Sequence, residues 1–173
     1  MTQTISAPAS EPLQTPFSDA ALKRFLARPV VAVLSWLTKR GEVVSSPVWY
    51  EYRDGKFYLH AVDESLKVRS MRRNPAVALL MQDAAPPYRY VSVRATAAII
   101  EDTGAGHDLD ERLARRYLGR TGGNYYMKNV YPNFPGKSVL VELTPTRIST
   151  VDGTADINPA ILVAMKAIRA VGM

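Results

Sequence analysis

The sequence contains no cysteine, which excludes disulfides, thiolate metal sites and a thiol nucleophile. Histidine is nearly as scarce. His60 and His107 are the only two, and neither has a second histidine or a carboxylate at metal-ligand spacing. The acids are scattered and form no metal motif, so no metal site is expected. No stretch approaches the ~20 consecutive apolar residues of a membrane-spanning helix. A Gly-x-Ser-x-Gly elbow, a Walker loop and a Gly-x-Gly-x-x-Gly fingerprint are all missing. Hydrolysis through protein side chains needs an activated nucleophile and a base, and the chain displays neither. Any catalysis here is expected to borrow its reactivity from a cofactor, and no catalytic side chain is assigned.

The 173 residues fit one domain of ordinary size. Lysine and arginine total 22 against 16 aspartates and glutamates, a formal charge of +6. That excess favours an anionic partner without choosing between nucleic acid, a phosphorylated cofactor and an anionic membrane. Residues 1–16, rich in Thr, Ser, Ala, Pro and Gln, lack the basic start and apolar run of a signal peptide and read as a disordered tail. Residues 17–152 read as one folded domain and 153–173 as a C-terminal helical extension. Absent cysteine suits a reducing compartment, and a cytoplasmic location is expected.

Ser18 is a candidate N-cap, with Phe17 and Leu22 at hydrophobic-staple spacing, for a helix that Pro29 stops. Val30–Leu37 is an apolar, β-branched strand, and Val43–Tyr52 returns beyond a turn at Gly41. Pro47, which cannot donate to a ladder, marks that second strand as an edge, a bulge or a place where something else approaches. Asp54-Gly55 is a hairpin turn into Lys56–Ala61. Asp63–Arg73 reads as a helix closed by Asn74-Pro75. Ala76–Gln82 and Tyr88–Glu101 read as strands, and Asp108–Leu118 as a helix ended by Gly119. Gly122–Pro135 reads as irregular. Ser138–Leu143 and Arg147–Val151 read as two final strands, and Pro159–Val171 as a terminal helix. About seven strands, mostly hairpin-connected, predict a mainly β fold, an antiparallel sheet or closed barrel with short helices.

Three segments are candidates for binding. In Ala61–Ser70 a strand runs straight into a helix start, where unpaired N–H groups and a partial positive charge attract anions. Ser65 offers a hydroxyl there, Lys67 and Arg69 add charges, and Arg72 and Arg73 follow. A phosphate suits such a site, whereas four cations on one helix also describe an ordinary solvated face. In Ser45-Ser46-Pro47-Val48-Trp49 small residues precede a large aromatic at an interrupted strand. A flat ring could pack there, or Trp49 could be a core residue on an edge strand. Arg112, Arg115, Arg116 and Arg120 form a helical stripe, a solvated face by default and a nucleic-acid contact otherwise. No aromatic stacking motif or recognition helix supports nucleic acid, which makes that partner unlikely.

Four stretches in order resemble the pyridoxamine 5′-phosphate oxidase-like split-barrel superfamily, in particular its flavin- and deazaflavin-dependent oxidoreductase branch. They are Val30–Leu37 with Gly41 and Ser46-Pro47-Val48-Trp49; Gly55-Lys56-Phe57-Tyr58-Leu59-His60; Ser65-Leu66-Lys67-Val68-Arg69 with Arg72-Arg73-Asn74-Pro75; and Tyr90–Ala97. The resemblance implies an FMN-binding-type split β-barrel of six strands, a homodimer, and a cofactor groove between the subunits. It implies coenzyme F420, alternatively FMN, and hydride transfer to or from a small organic substrate. Lys67 and Ser65, with Arg69 beside them, would hold the cofactor phosphate. Ser46, Pro47, Val48 and Trp49 would line the ring system with His60 and Ala61, and Gln82 and Tyr90 would close the site. A flavin reductase or oxidase, or a non-enzymatic flavin-binding module, has the same fold. The basic phosphate set and C-terminal substrate residues of the oxidase that names the superfamily are missing, which argues against vitamin B6 chemistry.

Overall fold

The computed structural model describes residues 17–101, 105–134, 136–154, 157–161 and 163–165. Helix α1 (Asp19–Leu26) starts at Ser18, whose hydroxyl accepts the Ala21 N–H at 3.3 Å. Phe17 and Leu22 pack on the core beside it. Strands β1 (Ala32–Leu37), β2 (Val43–Val48), β3 (Glu51–Arg53) and β4 (Lys56–Val62) follow, then α2 (Leu66–Arg73), β5 (Ala76–Gln82) and β6 (Arg89–Glu101). A kinked helix α3 (Ala105–Asn129), a 3-10 turn (Tyr131–Asn133) and β7 (Ser138–Asp152) complete the domain. The predicted tail lies outside the described residues. Of the predicted terminal helix, residues 159–161 and 163–165 are helical, with the Asn158 side chain accepting the Ala160 N–H at 2.9 Å.

All seven strands join one antiparallel sheet in the order β2-β1-β5-β6-β7-β4-β3. That order forces the sheet to roll. The outermost strands β2 and β3 are linked only by Trp49 and Tyr50, and three Cα–Cα steps reach at most about 11 Å. Laid flat, seven strands spaced by about 4.8 Å would hold the outer two roughly 29 Å apart. The sheet therefore curls until its edges meet at the Val48–Glu51 corner.

Period-two alternation fills the interior. Ala32, Leu34 and Trp36 point inward from β1, Phe57, Leu59 and Ala61 from β4, and Val77, Leu79 and Met81 from β5. Val91, Val93 and Ala95 come from β6 and Val139, Val141 and Leu143 from β7. Phe25 and Leu26 of α1 and Val68 and Met71 of α2 join the same cluster.

The structure corrects three expectations. The predicted strand Val43–Tyr52 is two strands, because the chain changes sheet edge at Trp49-Tyr50. Residues 138–152 form one strand rather than two. Ala95 pairs with Pro145 and Arg94 with Arg147, so Thr146 bulges out and donates its hydroxyl to the Arg94 carbonyl at 3.1 Å. The bulge absorbs a proline that reads as a break. Finally, Gly119 does interrupt the helix, at φ 72° and ψ 175°, but the chain beyond it is helical to Asn129. Gly122-Gly123 resembles loop chemistry in sequence. In the fold a Cβ on Gly123 would sit 2.7 Å from the Arg115 backbone nitrogen, so this glycine lets the two limbs of α3 cross closely.

Two arginines of the stripe, Arg112 and Arg116, dock α3 onto the barrel. Arg112 grips Glu51 through Nε and Nη2 at 2.9 and 3.0 Å, and this hydrogen bonding holds the Glu51 carboxyl below the usual range. Arg116 Nη2 donates to the Leu26 and Arg28 carbonyls at 2.6 and 2.7 Å, satisfying the end of α1. Arg115 pairs with Glu111 at 2.6 Å. Tyr117 donates to the Val30 carbonyl at 3.1 Å and accepts the Tyr50 N–H at 3.3 Å.

Candidate functional site

Pairing between β3 and β4 stops at Glu51↔Tyr58. Continuing that register by two and four residues would set Trp49 against His60 and Pro47 against Val62. The ladder does not continue, because residues 47 and 48 belong to β2, which pairs with β1 instead. Pro47 also has no N–H with which to bond β4. The barrel is split at this point, and a cavity of about 300 Å³ occupies the split.

Its walls follow from this geometry. Pro47, Val48 and Trp49 line one side and His60, Ala61 and Val62 the other. Lys67, in the first turn of α2, reaches the cavity, and α3 with the segment after it closes the outside through Asp110, Leu113, Tyr126, Tyr131 and Phe134. The Trp49 indole stacks on Tyr117 at 5.1 Å with the planes 7° apart, and meets Tyr126 at 5.4 Å. Trp49 is thus a wall of the cavity rather than a core residue.

Ser65 caps α2, its hydroxyl accepting the Val68 N–H at 3.4 Å. The N–H groups opening the helix have no acceptor within it. The helix cations are not equivalent. Arg72 pairs with Asp63 at 2.5 Å and Arg73 donates to Ser70 at 3.2 Å. Lys67 has no carboxylate partner among the described residues, and burial pushes its ammonium below the usual lysine range. A partly buried, unpaired cation is unfavourable unless an anion joins it.

Opposite Lys67, His60 Nδ1 lies 3.1 Å from Asp110 Oδ2. His60 Nε2 is buried without a hydrogen-bond partner. Burial, and then the charge of Asp110, push the Tyr126 phenol up, so it stays protonated and is a donor at neutral pH. The His60 and Tyr131 rings are 6.0 Å apart, and His107 meets the other side of Tyr131 at 5.6 Å.

Among the residues singled out in the sequence, the cavity brings together Pro47, Val48, Trp49, His60, Ala61 and Lys67. Ser65 stands two residues before Lys67 at the helix cap and does not line the cavity. Ser46 lies one residue outside it, its hydroxyl oxygen buried and unpartnered. Arg69 opens instead into a separate groove with Thr38, Lys39, Arg40, Glu42, Leu66 and Arg73. Gln82 and Tyr90 pair with each other on β5 and β6 and do not reach the cavity. Asp110 has a signal in the sequence that the reading missed. It is an acid at helical spacing from Leu113, Ala114 and Tyr117, on the face that turns inward.

A rolled antiparallel sheet, opened between β2 and β4 and covered there by a kinked helix, defines a split-barrel protein. Residues 18–152 match the family model for pyridoxamine 5′-phosphate oxidase, and the chain belongs to that family. Among curated proteins none matches. Among solved structures the chain is similar to a conserved hypothetical protein, Rv2991, from Mycobacterium tuberculosis, at 25% identity and a TM-score of 0.69, covering 84% of this chain and 91% of that one. It is also similar to an F420 reductase at 25% identity and a TM-score of 0.58, covering 73% and 94%. A FAD-binding protein from Mesorhizobium loti shares the fold at 19% identity and a TM-score of 0.56, covering 80% and 96%. No helix among the described residues is long and apolar enough to cross a membrane.

Proposed function

We propose that the chain is an oxidoreductase that binds coenzyme F420 in the split of the barrel and transfers a hydride to or from a small organic substrate. One observation carries this reading: Lys67 brings an unpaired, partly desolvated cation to a cavity whose other walls, apart from the His60–Asp110 pair, are aromatic and apolar. Such a cavity fits a flat ring with an anionic group at one end. The similarity to an F420 reductase supports the deazaflavin over other flat anions. A volume of about 300 Å³ is at the small end of ligand sites, which run from about 300 to 1,000 Å³. It has room for a ring system and not for a whole cofactor.

When bound, the deazaflavin supplies hydride chemistry. The chain's own residues bind and orient. Lys67 and the N-terminal turn of α2 hold the anionic group. Trp49 and Phe134 present aromatic faces, and the Tyr126 hydroxyl donates a hydrogen bond. The limbs of α3 cover the ring and exclude water.

We further propose a homodimer in which the groove is completed between subunits. Support comes from the outer face of the sheet, where Val33 and Leu80 are register partners and are exposed, as are Leu37 and Val43, which also pair. Sedimentation equilibrium tests this, and a monomer at micromolar concentration would overturn it.

Titration of the full chain with coenzyme F420 and with FMN tests the function. Trp49 lines the cavity while Trp36 is buried inside the barrel, so F420 should quench the emission saturably and Trp49→Phe should reduce the amplitude of that quenching. Saturation by FMN alone would transfer the reading to a flavin enzyme or flavin-binding module of the same fold. Quenching by neither would end it.

A further inference from the structure

We propose that His60 is the acid–base group of this site, exchanging the substrate's proton through Nε2, and that Asp110 is its positioning residue. The inference rests on the reading of the cavity as a redox site and adds the proton route that reading leaves open.

The pair is assembled across the cavity from β4 and α3. His60 follows Tyr58 on the outward face of its strand, and Asp110 occupies the inward face of its helix. The side chains are only 16% and 10% exposed, and Nδ1 and Oδ2 are 3.1 Å apart. A carboxylate held this far from water needs a cation or donors. Among the described residues His60 is the one ion-pairing partner of Asp110. Packing does not require an acid here, since Leu109, Leu113 and Ala114 bury around it. His60 Nε2 lacks a hydrogen-bond partner, and an unfilled buried hydrogen-bonding group in a native protein calls for an explanation.

Chemistry assigns the roles. A carboxylate facing Nδ1 favours a proton on that nitrogen, which leaves Nε2 as the atom that gains and loses one. Two-electron reduction of a polarised double bond by a deazaflavin or flavin hydride donor needs one proton besides the hydride. Cationic His60 gives its Nε2 proton to the substrate atom that received the electron pair of the broken π bond. The ring becomes neutral, with its remaining proton toward Asp110, and water restores the Nε2 proton. In the oxidative direction neutral Nε2 accepts the proton.

The other titratable groups facing the ring are Lys67 from α2, Tyr126 from α3 and Tyr131 from the 3-10 turn, with His107 behind Tyr131. From β7 the register partner is apolar Leu140. Tyr126 does not compete as a base, because burial and Asp110 both favour its protonated form.

Two histidines in the chain make the test direct. Ring nitrogens of ¹⁵N-histidine-labelled full-length protein give two spin systems, and His60→Gln identifies one by deleting it. In the neutral His60 ring the proton should sit on Nδ1 rather than Nε2, and Asp110→Asn should abolish that preference. Separately, the F420-loaded protein is assayed on a panel of enones, imines and nitroarenes. At saturating cofactor, His60→Gln should lose at least about 100-fold in kcat, the low end for general acid–base catalysis. Asp110→Asn should lose about tenfold. A His60 ring carrying its proton on Nε2 alone, or a His60→Gln variant within threefold of wild-type kcat, overturns the dyad and leaves the cofactor reading standing. A wild-type protein that binds neither F420 nor FMN, or that turns over no panel member when loaded, removes the redox reading and the proposal with it.

Discussion

Lys67→Met retains most of the aliphatic stem and deletes the charge. In the ligand-free protein the lysine is unpaired and burial disfavours its charged form. Its folded-state pKa lies below the unfolded value, so the protonated side chain opposes folding at every pH below about 10. Removing it should leave the ligand-free Tm unchanged or raised. The ligand-bound protein should respond in the opposite sense. A charge-assisted hydrogen bond contributes about 1.5–3 kcal/mol, which at about 1.4 kcal/mol per decade weakens cofactor binding roughly tenfold to 150-fold. At a ligand concentration of 100 times the wild-type Kd, binding stabilises the wild type by about 2.7 kcal/mol. A thirtyfold weaker variant retains only about 0.9 kcal/mol at the same concentration. Thermal melts with and without F420 read both signs in one experiment. Equal ligand-induced shifts in wild type and variant would refute the placement of the anionic group at Lys67. A ligand-free variant markedly less stable than wild type would show that Lys67 has a structural partner this geometry lacks.

Arg69→Ala should leave the cofactor Kd within about twofold in the same melts, because Arg69 opens into a different groove; a tenfold loss would mean that the cofactor extends there. Gly123→Ala should cost about 1–3 kcal/mol in denaturant titration, since its Cβ meets the Arg115 backbone and overpacking forces backbone shifts. Gly122→Ala, whose Cβ would lie 3.1 Å from the Leu118 Cβ, is the milder control, and equal costs would discount the close crossing. Asp83 is 6% exposed and bonded to Arg28 and Arg89 at 2.6 and 2.8 Å. Burial pushes its carboxyl up, but the two arginines outweigh that and hold it below the usual range. Its contribution is therefore present above about pH 4 and disappears as pH falls through the depressed folded-state value. Asp83→Asn should cost about 1–3 kcal/mol at pH 7 and progressively less below pH 4, as read from Tm against pH; a pH-independent difference would contradict the pairing.

Much of this architecture is legible in local sequence. Alternation in Lys56–Ala61 and Tyr88–Glu101 sets each strand's inward face, and Ser18 and Ser65 cap the helices they precede. Pro47 marks the edge strand at which the barrel opens. Long-range geometry is less visible. The two-residue link at Trp49-Tyr50 looks like continuous strand, because nothing local announces that the chain is stepping from one sheet edge to the other. Gly123 looks like a loop residue because its role is an approach to Arg115, eight positions earlier. Part of the cavity wall follows from that approach, since the second limb of α3 carries Tyr126. Asp110 meets His60 only after the barrel and α3 have docked, and no spacing rule links residues 60 and 110. The arginine stripe is only half legible for the same reason: Arg112 and Arg116 reach Glu51, Leu26 and Arg28, distant in sequence, while Arg115 and Arg120 stay on the exposed face.

We propose that the opening between β2 and β4 receives the cofactor with its anionic group at Lys67. A crystal structure of the full chain grown with coenzyme F420 tests it most directly. The ring should lie between Trp49 and His60, with the phosphate within hydrogen-bonding reach of Lys67 Nζ and the first turn of α2. A ring bound elsewhere on the barrel, with this opening filled only by solvent, would contradict it.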